Sequence, residues 1–222
     1  EEKTRTLLRG HEYAKSGLDI ACWDMLARSQ GKPLYALLGG RQNDKVPGYA
    51  VIKYKDPEEL PSSIKQAREQ GYRIFQLKVG RSSSVMEDVD AIRQVDKSRL
   101  GGEIMVVDPN KWWNPSHGLQ VLNQVRNINF FIEQPCETYE ECLDISRKTD
   151  QPMFLDESMI TIQDLLRAIN DHAMQGIVCK ISRVGGLSKA MLMRDICLAS
   201  GKIMRMEDNW GADLSTAINA HM

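Results

Sequence analysis

The chain has 222 residues, of which 42% are hydrophobic and 27% are charged, and its formal net charge at pH 7 is −1. This composition predicts a globular protein with one large core, and the balanced charge gives no electrostatic reason to expect nucleic acid or a membrane as partner. No apolar run reaches the roughly 20 residues that span a bilayer, and the charged N-terminus EEKTRTLLRG lacks the apolar core of a signal peptide. The five cysteines are odd in number and show no C-x-x-C spacing, so these features together predict a cytoplasmic protein.

The predicted elements begin with a helix over residues 11–30, where apolar and small residues recur on one face. From Val46 onward, short apolar strands alternate with amphipathic helices. Seven strands are predicted, over residues 46–54, 72–80, 103–110, 129–135, 152–158, 176–186 and 202–211. Side chains that can cap a helix stand where four of the intervening helices should begin: Asp56, one of Ser82, Ser83 and Ser84, Thr138 and Thr161.

Short apolar strands between amphipathic helices indicate an α/β fold with a parallel sheet covered by helices. An open doubly wound sheet usually carries a glycine-rich phosphate turn after its first strand, but the first strand here ends in KYKDP. A TIM-type (β/α) barrel instead collects polar groups at the carboxyl end of every strand, as the charged residues of this chain do. The sequence therefore predicts a TIM-type (β/α) barrel of which seven strands are present, one strand short of closure.

Charged residues follow the apolar runs of four successive strands at a nearly constant interval. Asp108, Glu133, Asp156 and Lys180 are 25, 23 and 24 residues apart. On a barrel the three carboxylates would converge on one point, and an all-oxygen ligand set that leaves room for water suits Mg²⁺. A single strand-end aspartate is more often a loop cap, so the prediction depends on three such residues occurring in register.

Lys78 at the end of the second strand and Lys180 on the sixth would flank such a metal from opposite sides. Desolvation or neighbouring cations can lower the pKa of a lysine enough for it to act as a base. A bound metal would acidify the proton α to a substrate carboxylate and stabilise the resulting enediolate. One lysine would remove that proton, and the other would return a proton or protonate a leaving group. The alternative for Lys180 is a surface lysine whose alkyl chain alone is covered.

Five motifs, in this order, resemble the barrel of the enolase superfamily, specifically its mandelate racemase/muconate lactonizing enzyme branch: FQLKVG, VVDPN, FFIEQP, FLDES and KISRVGG. SGLDIACWDMLARSQGKPLYALLGG resembles the helix and connector that precede that barrel. The resemblance implies that Asp108, Glu133 and Asp156 are Mg²⁺ ligands. It also implies catalytic roles for Lys78 and Lys180, with the lysine on strand six typical of the muconate-lactonizing-like subgroup. Residues 1–45 would then hold the last helix of a capping domain and its connector, and residues 46–222 an incomplete catalytic barrel.

The sequence departs from the family pattern in two respects. Gln76 stands where the family has the first lysine of its K-x-K motif. Its amide can donate a hydrogen bond but carries no charge, so Lys78 is expected to be more basic and activity lowered or changed. The second departure is length, because most of the capping domain and the eighth strand are missing from this chain.

Five further residues are expected to support the site or contact the substrate: Gln76, Asn110, Glu157, Glu207 and Asp208. The acidic pair at 207–208 would complement a substrate that carries an amine, and members of the subgroup act on proline-type amino acids and betaines. The alternative for Glu207 is a salt bridge with a lysine or arginine of a neighbouring strand.

The first functional prediction is a Mg²⁺-dependent enzyme that racemises, epimerises or dehydrates a small amino-acid-like (proline- or betaine-type) or hydroxy-acid substrate. A cycloisomerase acting on an unsaturated dicarboxylate of the muconate type would use the same metal and lysines. A truncated or inactive barrel is the third hypothesis, because of Gln76 and the missing parts. The exposed apolar edges of an open barrel predict a homo-oligomer, with a small carboxylate substrate as the other partner.

Overall fold

The computed structural model describes residues 9–207 and 211–222, and the contacts within the chain divide it into two compact units. The five-strand unit comprises residues 47–158 and 170–175. The two-strand unit comprises the residues up to Val46, residues 159–169 and residues 176–222. None of the helices among the described residues is both long enough and apolar enough to cross a membrane.

Strands and helices alternate along the described part of the chain, as the sequence predicts. The strands are β1 (Ala50–Ile52), β2 (Ile74–Lys78), β3 (Ile104–Asp108), β4 (Phe131–Glu133), β5 (Met153–Leu155), β6 (Gly176–Lys180) and β7 (Ile203–Glu207). The α-helices are α1 (Glu12–Ser29), α2 (Leu60–Glu69), α3 (Val85–Ser98), α4 (Pro115–Gln124), α5 (Tyr139–Ser146), α6 (Ile162–Asn170), α7 (Ile181–Val184), α8 (Leu187–Ala199) and α9 (Ala212–His221). Two 3₁₀ turns cover Leu34–Ala36 and Pro57–Glu59.

In the five-strand unit, β1 to β5 pair in chain order and every pair is parallel. The register places Lys78 of β2 beside Asp108 of β3. The core of the unit includes the fully buried side chains of Phe75, Leu77, Met105, Ile132 and Leu155. Because all five strands run in the same direction, their carboxyl ends and the residues that follow them lie at one edge of the sheet.

Side-chain caps fix where the helices begin. The predicted caps Asp56, Ser84, Thr138 and Thr161 are confirmed, because each side-chain oxygen accepts a backbone N–H from the first turn that follows. Asn114, which is not among the predicted caps, caps α4 in the same way at 2.9 Å.

A buried carboxylate joins the loops that follow β2 and β3. Asp88 on α3 is 1% exposed. Its Oδ1 accepts the backbone N–H of Gly80 at 2.8 Å, while its Oδ2 accepts Trp113 Nε1–H at 2.8 Å and lies 2.9 Å from His117 Nε2. Gly80 has a φ of 81°, and a Cβ there would lie about 3 Å from the side chains of Trp112 and Trp113. The loop after β2 therefore requires glycine where it approaches the loop after β3.

In the two-strand unit, β6 and β7 pair in parallel from Gly176 beside Ile203 to Lys180 beside Glu207. The predicted sixth strand, 176–186, is too long: it ends at Lys180 and is followed by the single helical turn α7. Gly185, with a φ of 92°, ends that turn in the left-handed region, which a β-branched or bulky residue would not adopt without strain.

Helix α1 contacts α7 and α8 through hydrogen bonds. Asp19 accepts the backbone N–H and the hydroxyl of Ser188 at 3.0 and 2.6 Å, and Trp23 Nε1 donates to the same hydroxyl at 2.9 Å. A Cβ on Gly186 would lie 2.4 Å from the Asp19 carboxylate, so only glycine permits this approach. Asp19 of α1 thereby caps the start of α8, although Asp19 and Ser188 are 169 positions apart in the chain.

The two adjacent tryptophans should contribute differently to stability. Trp113 is 2% exposed and hydrogen-bonded to Asp88, whereas Trp112 is 67% exposed. We expect Trp113→Phe to lower the free energy of unfolding by about 2 kcal/mol, because it leaves the buried carboxylate one donor short. The matched change Trp112→Phe should stay within about 0.5 kcal/mol. Urea unfolding measures both, and equal losses would contradict the role assigned to the Asp88 contact.

Acid stability should depend on Glu103, which precedes β3. Arg68 donates to both of its carboxylate oxygens, at 2.6 and 2.8 Å. These hydrogen bonds lower the pKa of Glu103 below its usual value of 4.5. A lowered pKa stabilises the fold above the unfolded value, and this contribution is lost as the pH falls through the folded value. We expect Glu103→Gln to flatten the decline of the unfolding free energy below pH 4.5, as measured by urea titrations at several pH values. The control is Glu137→Gln, which removes an exposed ion pair with Lys111 and should leave that decline unchanged.

Candidate active site

The three acidic residues predicted as metal ligands lie at adjacent strand ends of the five-strand unit. Asp108 is the last residue of β3, Glu133 is the last residue of β4, and Asp156 follows β5 directly. Their exposed fractions are 1%, 1% and 0%. Apolar side chains before each of them anchor the strands in the core, so the backbone carries all three carboxylates into a nearly dry environment.

The structure brings these carboxylates together around Gln76 and Lys78. Gln76 Nε2 donates to Asp108 Oδ2 at 3.1 Å and to both oxygens of Glu133 at 3.1 and 3.0 Å. A carboxylate oxygen of Glu133 lies within 4.8 Å of one of Asp156. Lys78 forms a close ion pair with Asp108. The residues that the sequence placed on separate strands therefore form one cluster within one unit.

Burial and like charge make this cluster costly to assemble. Burial raises the pKa of Asp108 above its usual range, and the negative charge of Asp156 adds to the rise, while Lys78 and the backbone N–H of Asn110 oppose it. A divalent cation would remove the repulsion between the carboxylates. The donor set contains only oxygen, which is the preference of Mg²⁺, so the residues fit the metal that the sequence predicts.

Backbone groups also hold the carboxylates in place. Asn110 donates its backbone N–H to Asp108 Oδ1 at 2.8 Å and has a φ of 46°. Glu157, the next residue after Asp156, is of intermediate exposure. Asn110 thus supports the site through its main chain, and the predicted role of either side chain toward a substrate stays a prediction.

Gln134, in the motif FFIEQP, is not among the site residues that the sequence predicts. Gln134 is the residue after Glu133 in the chain, and its side chain is fully buried. Its Oε1 accepts the backbone N–H of Asp156 at 3.0 Å. A polar residue that immediately follows a predicted ligand, inside an otherwise apolar run, is the signal that would have indicated it.

In the two-strand unit, Lys180 ends β6 and Glu207 ends β7. Lys180 Nζ lies 3.4 Å from Glu207 Oε2, and Arg205 forms a close ion pair with the other oxygen of the same carboxylate. Glu207 is 8% exposed. The salt bridge to a neighbouring strand, predicted as the alternative to substrate contact, is therefore present. Asp208, its predicted companion, lies outside the described residues.

Two family descriptions match this chain. "Enolase C-terminal domain-like" matches residues 59–222, and "Mandelate racemase / muconate lactonizing enzyme, N-terminal domain" matches residues 2–39.

Similar proteins agree with these matches. The chain is 43% identical over 97% of its length to a cis-3-hydroxy-L-proline dehydratase from Roseibium aggregatum, of which it covers 58%. It is 32% identical over 82% of its length to an N-succinyl-L-Arg/Lys racemase from Bacillus cereus, of which it covers 50%. A crystal structure of an enolase-superfamily member from Roseovarius nubinhibens complexed with magnesium matches with a TM-score of 0.93 at 35% identity, over 98% of this chain and 59% of that one.

The chain thus spans between half and about three fifths of the length of these relatives. The structural likeness confirms the predicted TIM-type (β/α) barrel fold. Both curated relatives carry the names of enzymes. The chain belongs to the mandelate racemase/muconate lactonizing enzyme family of the enolase superfamily.

Proposed function

We propose that this chain carries the metal-binding and proton-abstracting part of a Mg²⁺-dependent enzyme that acts on the carbon α to the carboxylate of a small amino-acid-like substrate. The observation that carries the proposal is the cluster of three buried carboxylates at the ends of β3, β4 and β5. The chain's family is one whose members include a structure complexed with magnesium.

Asp108, Glu133 and Asp156 would hold the metal. When bound, Mg²⁺ would polarise the substrate carboxylate and make the adjacent α-proton more acidic. Lys78 and the metal would compete for the carboxylate of Asp108, because the lysine forms an ion pair with that group. Lys78 would act in its neutral amine form, released from this ion pair, and would accept the α-proton of the substrate.

Gln76 keeps two of the ligands together without adding charge. Its amide donates to Asp108 and Glu133 at the same time. A lysine at this position would add a second cation beside the metal, whereas the amide stabilises the carboxylates and leaves their net charge available to Mg²⁺. In this chain we assign Gln76 to supporting the ligands rather than to binding the substrate carboxylate.

Dehydration is the first reaction we propose, because a hydroxyproline dehydratase is a 43% identical relative. In 3-hydroxyproline, removal of the α-proton leaves an electron pair that forms a double bond to the β-carbon. The β-carbon to oxygen bond breaks, and the hydroxyl leaves as water after it takes up a proton. Lys180 is proposed as the second acid–base group, either for the leaving hydroxyl or for return of a proton to the α-carbon.

Epimerisation is the second candidate, supported by the racemase among the relatives. It needs the same proton abstraction and differs only in the fate of the electron pair, which takes a proton back on the opposite face. The muconate-type cycloisomerase, the inactive barrel, the homo-oligomer and the domain division at residue 45 stay predictions.

The metal assignment predicts that Asp156→Asn lowers Mg²⁺ affinity at least about 100-fold, the upper end of what loss of a supporting partner costs a metal site. Isothermal titration calorimetry measures the affinity. The unfolding free energy without metal should not fall, because the change removes one of the mutually repelling charges. The control Asp171→Asn keeps an acceptor for the Tyr139 hydroxyl, bonded at 2.7 Å, and should bind Mg²⁺ as the wild type does. Unchanged affinity in Asp156→Asn contradicts the ligand assignment.

The catalytic assignment predicts that Lys180→Ala slows the reaction by about 10²- to 10⁴-fold while Mg²⁺ affinity stays unchanged. The assay is proton NMR in D₂O with Mg²⁺ and cis-3-hydroxy-L-proline, together with mass spectrometry for loss of one water. The matched control is Lys189→Ala, which removes a partly buried lysine paired with Glu12 at 2.7 Å and should react normally.

Other outcomes of this assay separate the hypotheses. Exchange of the α-proton with solvent deuterium, without loss of water, favours epimerisation. Weaker Mg²⁺ binding by Lys180→Ala shows that its role is not proton transfer. Normal Mg²⁺ binding without turnover of proline-type, hydroxy-acid or unsaturated dicarboxylate substrates supports the inactive barrel.

A further inference from the structure

We propose that Gln134 is the positioning residue of the metal site, and that it sets the geometry of the three carboxylates by tying together the loops behind them. This inference rests on the proposed metal site and adds a residue that is not one of its proposed ligands.

The main chain of Gln134 connects three neighbouring segments. Its N–H donates to the carbonyl of Phe154 on β5 at 2.9 Å, and its carbonyl accepts the N–H of Lys111, in the loop after β3, at 3.0 Å. Gln134 itself follows Glu133, the last residue of β4. One residue therefore joins the segments that carry Asp108, Glu133 and Asp156.

The side-chain amide of Gln134 both accepts and donates hydrogen bonds, and its partners lie in the segments that follow β4 and β5. Its Oε1 accepts the backbone N–H groups of Asp156 and Ser158 at 3.0 and 3.2 Å. Its Nε2 donates to Ser158 Oγ at 2.6 Å and to the carbonyl of Cys136 at 3.1 Å. The Oε1 acceptor thus fixes the backbone of Asp156, a proposed ligand. The Nε2 donor fixes the loop after β4. Only an amide of this length supplies both functions.

The backbone of Gln134 is held in an uncommon conformation. Its φ is 30°, positive for a residue that has a Cβ. Such a conformation persists only where the surroundings fix it. The side chain is 0% exposed, so its hydrogen bonds form without competition from water. Gln134 thus combines an uncommon backbone conformation, complete burial and contacts to three loops. It is also the residue next to a proposed ligand.

The consequence concerns metal affinity. Mg²⁺ demands near-ideal octahedral geometry, so small displacements of its ligands are costly. Glu133 is covalently adjacent to Gln134, and the N–H of Asp156 is bonded to its side chain. Loss of the amide would let these two ligands move independently of each other. Outer-shell partners of this kind typically contribute about 10- to 100-fold to metal affinity.

The test compares Gln134→Met with Gln151→Met in the full chain. Gln151 donates its Nε2 to the carbonyl of Ile128 at 2.8 Å, at the other end of β5. Both changes remove a glutamine amide of similar volume from the same unit. Mg²⁺ alone is the titrant in calorimetry, and thermal unfolding without metal gives the stability of each variant. We expect Mg²⁺ affinity to fall about 10- to 100-fold in Gln134→Met and to be retained in Gln151→Met.

Ser158→Ala is the second variant, for use where Gln134→Met does not fold. It removes only the hydroxyl that Nε2 contacts, so the amide loses one of its anchors and keeps its bond to Asp156. A drop in Mg²⁺ affinity on the order of threefold, less than the outer-shell range, is expected. Unchanged affinity in Ser158→Ala, with Gln134→Met unfolded, overturns the proposal.

Failure of this inference and failure of the proposed function are distinguishable. A wild-type chain that does not bind Mg²⁺ refutes the metal site on which both depend. A wild-type chain that binds Mg²⁺, together with a folded Gln134→Met that binds it equally well, leaves the metal site standing and shows that Gln134 serves stability alone.

Discussion

Three carboxylates are buried at adjacent strand ends of the five-strand unit, where their negative charges repel one another. Neighbouring hydrogen-bond donors offset part of that repulsion. Gln76, Lys78 and the backbone N–H of Asn110 each donate to one or two of the acids. These contacts offset part of the desolvation cost, and the raised pKa of Asp108 shows that burial still dominates. The negative charge and the oxygen donors of the cluster fit a divalent cation.

Two buried polar side chains, Asp88 and Gln134, join the loops that follow the strand ends. Asp88 joins the loops after β2 and β3 through Gly80 and Trp113. Gln134 joins the loops after β3, β4 and β5. Both side chains are essentially inaccessible to water and have donors or acceptors on several segments. Loops are usually the mobile part of a barrel, and buried polar groups with partners on several segments oppose such mobility.

In the two-strand unit, the residue proposed as the second acid–base group also has a structural partner. Lys180 pairs with Glu207 in register across β6 and β7, and Arg205 contacts the same carboxylate. A lysine held by an ion pair has a defined position before a substrate arrives. The carboxylate of Glu207 thus has two cationic partners within its own unit, so the acidic side chain alone does not indicate an amine-bearing substrate.

The sequence by itself determined the order of the elements, the helix caps, the positions of Asp108, Glu133 and Asp156 at strand ends, and the family. These features are local: apolar runs, capping residues and charged residues after strands are all read within a few positions of the chain. Only the tertiary structure decided that the sixth strand ends at Lys180, that Gln76 bonds two of the carboxylates, and that Gln134 reaches Asp156. Those contacts join residues 22 to 57 positions apart, and no periodicity encodes which side chains meet when parallel strands bring their ends together.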